Sequence, residues 1–270
     1  SVFLGALIQF INDHPTGFRT KKNNGLQLLW ITPLRALAKD IARAMQEVVE
    51  QLGMAWRVGI RNGDTDVKER EQQKRNMPEV LIMTPESLHL LLAQKNNPEI
   101  FKNLQLIAVD EWHELMGGKR GVQVELALSR ITNIRYSLFN APCAVWGISA
   151  TIGNLEEAKE VLLRPVKMLQ CKGVFNAPPS EGLPAGEAGS EEAGVPMAIG
   201  KGEIIKANLQ KQITVQSIFP DEIEKYPWAG HLGIKLAHKI IPIIEKSNTT
   251  LIFINTRGMT EMWYQAILDA

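Results

Sequence analysis

Short apolar runs alternate with longer amphipathic segments along most of the chain, and this alternation sets the class of fold. Gln27 to Ile31 (QLLWI) reads as a buried strand, with a helix from about Pro33 to Leu52. Trp56 to Ile60 reads as a second strand, followed by the polar helix DVKEREQQKRN. Val80 to Met83 is a third, leading into a helix near Pro85, and Leu104 to Val109 a fourth, followed by a Gly-Gly turn and a helix from about Val122. Cys143 to Ile148 is a fifth, with a helix over Asn154 to Leu163. Strands that alternate with helices predict an α/β fold, a parallel sheet covered on both faces.

Composition shifts at Gly173. From there to Gly202 the chain is rich in Gly, Ala, Pro and Glu, which predicts a flexible insertion or linker. Beyond it, ITVQSIF (Ile213 to Phe219) and TLIFIN (Thr250 to Asn255) read as strands, with helices over Gly233 to Lys246 and from about Gly258. The expected organisation is a first α/β domain over 1–170, a linker over 171–210 and the start of a second α/β unit over 211–270.

The chain has 270 residues, 45% of them hydrophobic and 22% charged, as expected of a globular chain with a sizeable core. A net charge of +1 excludes a strongly basic nucleic-acid coat, but not binding through backbone amides and a few side chains. Cys143 and Cys171 fit no metal-ligand spacing and read as reduced, intracellular thiols. The opening SVFLGALIQFI has no basic flank and reads as a helix rather than a signal peptide. No apolar run reaches the roughly 18–20 residues of a membrane span.

Ligands of open α/β sheets gather at the carboxyl ends of the strands. Polar signatures recur there: Thr32-Pro33, Gly63-Asp64-Thr65, Thr84-Pro85-Glu86, Asp110-Glu111, Ser149-Ala150-Thr151 and, in the second unit, Asn255-Thr256-Arg257. Thr before Pro is also an ordinary helix N-cap, Arg35 an ordinary first-turn residue, and His113 alone an ordinary packed residue. The pair Asp110-Glu111 carries the sharpest signal. A hydrophobic strand that ends in Asp is how P-loop nucleotide hydrolases hold magnesium, and an adjacent acid can deprotonate a water.

Asp110-Glu111-Trp112-His113 resembles the DExH form of the helicase Walker B box, and Ser149-Ala150-Thr151 resembles the box that follows it. TPLRALAKDI, TPESLHLLL and FINTRGMTEMWYQAIL resemble further helicase boxes. The longer strings WHELMGGKRGVQVELALSRI, SATIGNLEEAKEVLL and YPWAGHLG are similar to the Lhr-type helicases, particularly their ligase-associated branch. The resemblance implies a RecA-like fold, with a second RecA-like domain beginning after the linker. It implies ATP and Mg as cofactors, with Asp110 holding the metal through water and Glu111 as general base. His113 would couple the nucleotide site to Ser149 and Thr151. Thr32, Pro33, Arg35, Gly63, Asp64, Thr84, Pro85 and Glu86 would line the path of single-stranded DNA, and Thr256 and Arg257 would grip it from the second domain. Movement in the 3′-to-5′ direction, a role in DNA repair with ligase or nuclease partners, and a bacterial cytoplasmic location are implied in the same way. An RNA helicase of the same superfamily, a P-loop ATPase that does not track nucleic acid, and an inactive nucleic-acid-binding module remain alternatives.

The phosphate loop G-x-x-x-x-G-K-[ST] of such enzymes is not found in these residues. Gly118-Lys119 and Gly200-Lys201 lack the upstream glycine and the following hydroxyl. The arginine-finger box is also not found. These 270 residues by themselves are therefore expected not to hydrolyse ATP, and to leave an open slot in the sheet that lowers solubility.

Overall fold

The computed structural model describes residues 2–94, 97–150, 152–172, 202–207, 212–219 and 233–269. The chain forms two compact units, Ser1–Ile205 and Lys206–Ala270. Most of the expected linker, and Thr151, lie outside the described residues.

In the first unit, helix α1 (Val2–Asp13) precedes strand β1 (Leu28–Ile31) and helix α2 (Arg35–Gln51). Strand β2 (Val58–Arg61), helix α3 (Val67–Arg75), strand β3 (Val80–Met83) and helices α4 (Pro85–Leu92) and α5 (Asn97–Ile100) follow. Then come strand β4 (Leu106–Val109), the single turn α6 (Trp112–Leu115), the long helix α7 (Lys119–Phe139), strand β5 (Ala144–Gly147) and helix α8 (Leu155–Lys172). The five strands form one parallel sheet in the order β2-β3-β1-β4-β5.

The strands divide the core by their two-residue period. Leu29, Ile31, Leu81, Met83, Ile107 and Val109 face a cluster built with α4, α7 and α8. Leu28, Trp30, Val80, Ile82, Leu106 and Ala108 face the opposite cluster, built with α1 and α2. A strand buried on both faces must be apolar at every position, which is why β1, β3 and β4 were legible as unbroken runs. β5 lies at an edge of the sheet, with Ala144, Trp146 and Gly147 exposed.

Several boundaries differ from the expectation. α7 begins at Lys119 rather than near Val122, and α5 and α6 were not expected, because one helical turn carries too little periodicity to register. α8 runs past Leu163 although Pro165 lies inside it. Proline normally stops a helix, but Ala158 and Leu162 dock this one on its cluster before Pro165, and Val166 is buried just after it.

In the second unit a 3-10 turn (Gly233–Leu236) leads into helix α9 (Ala237–Glu245), and helix α10 (Arg257–Leu268) follows. Trp263 of α10 is buried against Gly233. The strands expected over 213–219 and 250–255 are not formed. Val215 and Phe253 are 87% and 90% exposed. β structure belongs to a pair of segments, and no described residue of this unit offers either segment a ladder partner.

Candidate active site

Because the strands are parallel, their carboxyl ends share one edge of the sheet. Ile31 stands in register with both Met83 and Val109, Met83 with Arg61, and Val109 with Gly147. Asn62, Thr84, Thr32, Asp110 and Ile148 therefore follow one another along a single rim, with Ser149 next in the chain.

Asp110 prolongs the β4 ladder by donating its backbone N–H to the Ile31 carbonyl at 2.8 Å. Its carboxylate accepts from the Glu111 backbone N–H at 3.1 Å and from the Trp30 indole N–H at 3.4 Å. Burial pushes the Asp110 carboxyl above its usual pKa, the Trp30 hydrogen bond opposes this, and the Glu111 charge adds to the rise. The folded protein thus holds this proton more tightly than the unfolded chain, and stability falls as pH rises through the raised value. Asp110→Asn is expected to unfold at a higher urea concentration than the parent at pH 7. The difference should vanish below about pH 4, where the unfolded Asp is protonated too. A less stable Asn variant at pH 7, or a gap that persists in acid, would contradict this.

Glu111 takes the left-handed backbone conformation, φ 47° and ψ 48°. Such a conformation costs a non-glycine residue about 1–2 kcal/mol, and it swings the chain sharply from β4 into α6. The Glu111 carbonyl accepts from the Glu114 N–H at 2.8 Å. Its carboxylate lies 3.3 Å from His113 Nδ1. The same Nδ1 is 2.8 Å from Ser149 Oγ, so one imidazole nitrogen stands between the acid after β4 and the hydroxyl after β5. His113 Nε2 lies 3.5 Å from Glu114.

Trp112 anchors this corner. It is buried, its backbone N–H donates to Ile148 O at 3.0 Å, and its indole N–H donates to Ala158 O at 3.1 Å. A cleft of about 520 Å³ opens beside it, lined by His113, Met116, Ile152, Glu157 and Val161 among others.

The two Thr-Pro pairs behave differently. Thr84 is the N-cap of α4: its hydroxyl accepts from Ser87 N–H at 3.4 Å, and Pro85 is the first helical residue. Thr32 does not cap α2, which starts at Arg35 with Leu34 as N-cap and no side-chain cap bond. The Thr32 hydroxyl is buried without a partner among the described residues, beside the buried Pro33. Arg35 reaches Asp64 at 3.4 Å, and its guanidinium lies against Gly63, where a Cβ would come within 3.0 Å. Asn62 shapes that loop, accepting from Asp64 N–H at 2.9 Å and donating its own N–H to Thr65 Oγ at 2.9 Å. Glu86 is paired with Arg120 of α7. In the second unit Thr256 caps α10 by accepting from Met259 N–H at 3.4 Å. Arg257 is almost wholly exposed, 3.8 Å from Glu261.

Trp30, Trp112 and Asn62 were missed as parts of the site. Trp30 and Trp112 lay in strings already singled out, but their indole partners are distant in sequence. Cys143 takes no part: burial pushes its thiol up to about 11. Among the described residues no helix is long and apolar enough to cross a membrane.

Known proteins of similar sequence match most of the chain. The ATP-dependent helicase Lhr-Core protein 2 of Thermococcus barophilus is 31% identical over 97% of this chain and 27% of its own length. The Lhr helicase/uracil glycosylase of Escherichia coli is 28% identical over 89% of this chain and 15% of its own length. The chain thus spans about a quarter or less of these relatives. The helicase Lhr of Mycobacterium smegmatis, solved with ssDNA and AMP-PNP, matches all of this chain and 30% of its own chain, with a TM-score of 0.62 and 24% identity, a likeness of fold. Residues 1–159 match the DEAD/DEAH box helicase family, and with the parallel sheet and the acid pair on its rim in place, the chain belongs to that family.

Proposed function

We propose that this chain is the motor part of an ATP-dependent helicase of the Lhr type, which couples ATP hydrolysis to 3′-to-5′ movement along single-stranded DNA. The observation that carries the reading is the connected corner Asp110–Glu111–His113–Ser149, in which one imidazole meets both the acid of β4 and the hydroxyl after β5. The names and bound ligands of the relatives favour ATP and a DNA strand. The direction, the repair role, the ligase or nuclease partners and the cytoplasmic location rest on the family resemblance.

The residues suit a magnesium nucleotide. Mg²⁺ is commonly held by one or two carboxylates, with water and phosphate oxygens completing the shell. Two adjacent acids on the rim match that donor set, and no group of three or more metal-ligating side chains occurs among the described residues. A cation would also relieve the burial and like-charge strain on Asp110. Bound ATP with Mg²⁺ supplies the phosphoanhydride whose hydrolysis drives the cycle.

In this reading Asp110 holds the metal through water, and Glu111 accepts the proton of the attacking water. His113 orients Glu111 and relays its state to Ser149 and Thr151. Backbone N–H groups at the uncapped start of α2, the hydroxyls of Thr32 and Thr84, and Arg35 offer contacts to phosphates of one strand. Pro33, Gly63, Asp64 and Pro85 shape that path, and Thr256 and Arg257 serve the same strand from the second unit.

The test is strand binding and strand-stimulated hydrolysis by the protein at its natural full length. Arg257→Ala, which removes a charged phosphate contact, should weaken binding of a single-stranded DNA oligonucleotide by about tenfold. Hydrolysis independent of any strand would favour the plain ATPase, and preferential stimulation by RNA would favour the RNA helicase.

A further inference from the structure

The first turn of α4 carries a carboxylate where a phosphate path calls for neutral or positive groups. Glu86 follows Thr84 and Pro85 directly, and a free acid there would repel a nucleic-acid backbone. It is not free. Arg120 Nε lies 2.7 Å from one Glu86 oxygen and Nη2 lies 3.4 Å from the other. This fork-to-carboxylate pairing fixes orientation as well as distance. The arginine also holds the Glu86 carboxyl below the usual carboxylate range.

Arg120 stands in the first turn of α7, and that turn is locked to the acid corner. α6 follows the left-handed Glu111, its N-cap, and ends at Leu115. The chain reverses at Gly117, φ 71°, before α7 begins. At Gly121 any side chain would overlap the Leu115 carbonyl oxygen, so the first turn of α7 sits directly on the end of α6. His89 of α4 makes a second tie, to the Gln123 carbonyl of α7 at 2.7 Å. An unbroken path of contacts therefore runs from Glu111 through α6 and α7 to the start of α4.

We propose that the Arg120–Glu86 ion pair is a positioning link that couples the Asp110–Glu111 corner to the start of α4, where Thr84 stands. Glu86 acts through Arg120 and does not itself touch the strand. The pair is partly exposed, 40% at Arg120 and 43% at Glu86. Exposed pairs add little to stability, so its loss leaves the fold intact and changes the coupling between the two sites.

This inference rests on the helicase reading, and the test separates the two. The natural full-length protein is compared with Arg120→Met, Arg120→Lys, Glu86→Gln and the double variant Glu86→Gln/Arg120→Met. Basal hydrolysis without a strand should stay near the parental rate in Arg120→Met, while strand-stimulated kcat falls about 5-fold or more with KM for ATP unchanged. Arg120→Lys, which keeps the charge, should recover part of the stimulation. The double variant should be no worse than Arg120→Met, because two residues acting as one unit are not additive. Additive losses, or a weakened affinity of Glu86→Gln for a DNA oligonucleotide with Arg120→Met unaffected, overturn the link in favour of direct strand contact by Glu86. Hydrogen exchange at the α4 amides is read in parallel and should quicken in Arg120→Met. Unchanged exchange overturns the link, whereas a wild-type protein without strand stimulation but with quickened exchange in the variant overturns the helicase reading alone.

Discussion

Replacing Glu111 with Gln is expected to lower ATP turnover by the natural full-length protein by about 10²–10⁴-fold, the usual contribution of a positioned general base. Glutamine keeps the volume of the side chain and its place beside His113, but it cannot take a proton from water. Nucleotide affinity should change little, because in the proposed reading Asp110 is the residue that holds the cation. The measurement is single-turnover hydrolysis alongside binding of a fluorescent ATP analogue. Turnover within threefold of the parent would remove Glu111 from the chemistry and leave its left-handed backbone, φ 47°, without a functional reason. Strain of this kind persists where the surrounding structure over-determines it, often at functional sites. Here the Asp110-to-Ile31 bond before Glu111 and the Trp112-to-Ile148 bond after it hold the turn in place.

Trp112→Ala should be the most damaging substitution for stability, at about 3–5 kcal/mol. The side chain is 2% exposed in the cluster that joins the sheet to α4, α7 and α8. Its removal leaves a cavity and takes away the donor to Ala158 O. For a unit of this size the loss corresponds to roughly 10 °C in Tm. Urea and thermal unfolding measure it, and a loss under about 1 kcal/mol would mean that α6 is held by other contacts. The variant should also lose hydrolysis beyond what its folded fraction explains, since His113 is the next residue along the same turn.

The sequence was most legible where burial is two-sided. β3 was read at its observed limits, and β1 and β4 within one or two residues at their starts, because every position in them is apolar. It was least legible in the second unit. ITVQSIF and TLIFIN have strand composition, but a ladder needs a neighbour, and composition does not supply one. Helix α8 also runs beyond the expected Leu163, with Pro165 inside it. The identical Thr-Pro dipeptides at 32 and 84 gave one true N-cap and one buried hydroxyl without a partner among the described residues. The difference lies in where each helix begins, and that depends on how it docks.

The sequence by itself determined the kind of fold, the order of the five strands of the first unit and the identity of the acids at the end of β4. These are properties of short windows, in which the apolar period and the residue types at a strand end suffice. Only the tertiary structure decided what those residues do to one another. It placed Glu111 in the left-handed region, set His113 between Glu111 and Ser149, turned the Trp30 indole to Asp110, and closed Arg120 onto Glu86. Each of these depends on chain segments brought together by packing of the sheet and its helices, or on the sharp turn that packing enforces. The energies of such contacts exist only once the chain has closed on itself, and no local pattern encodes them.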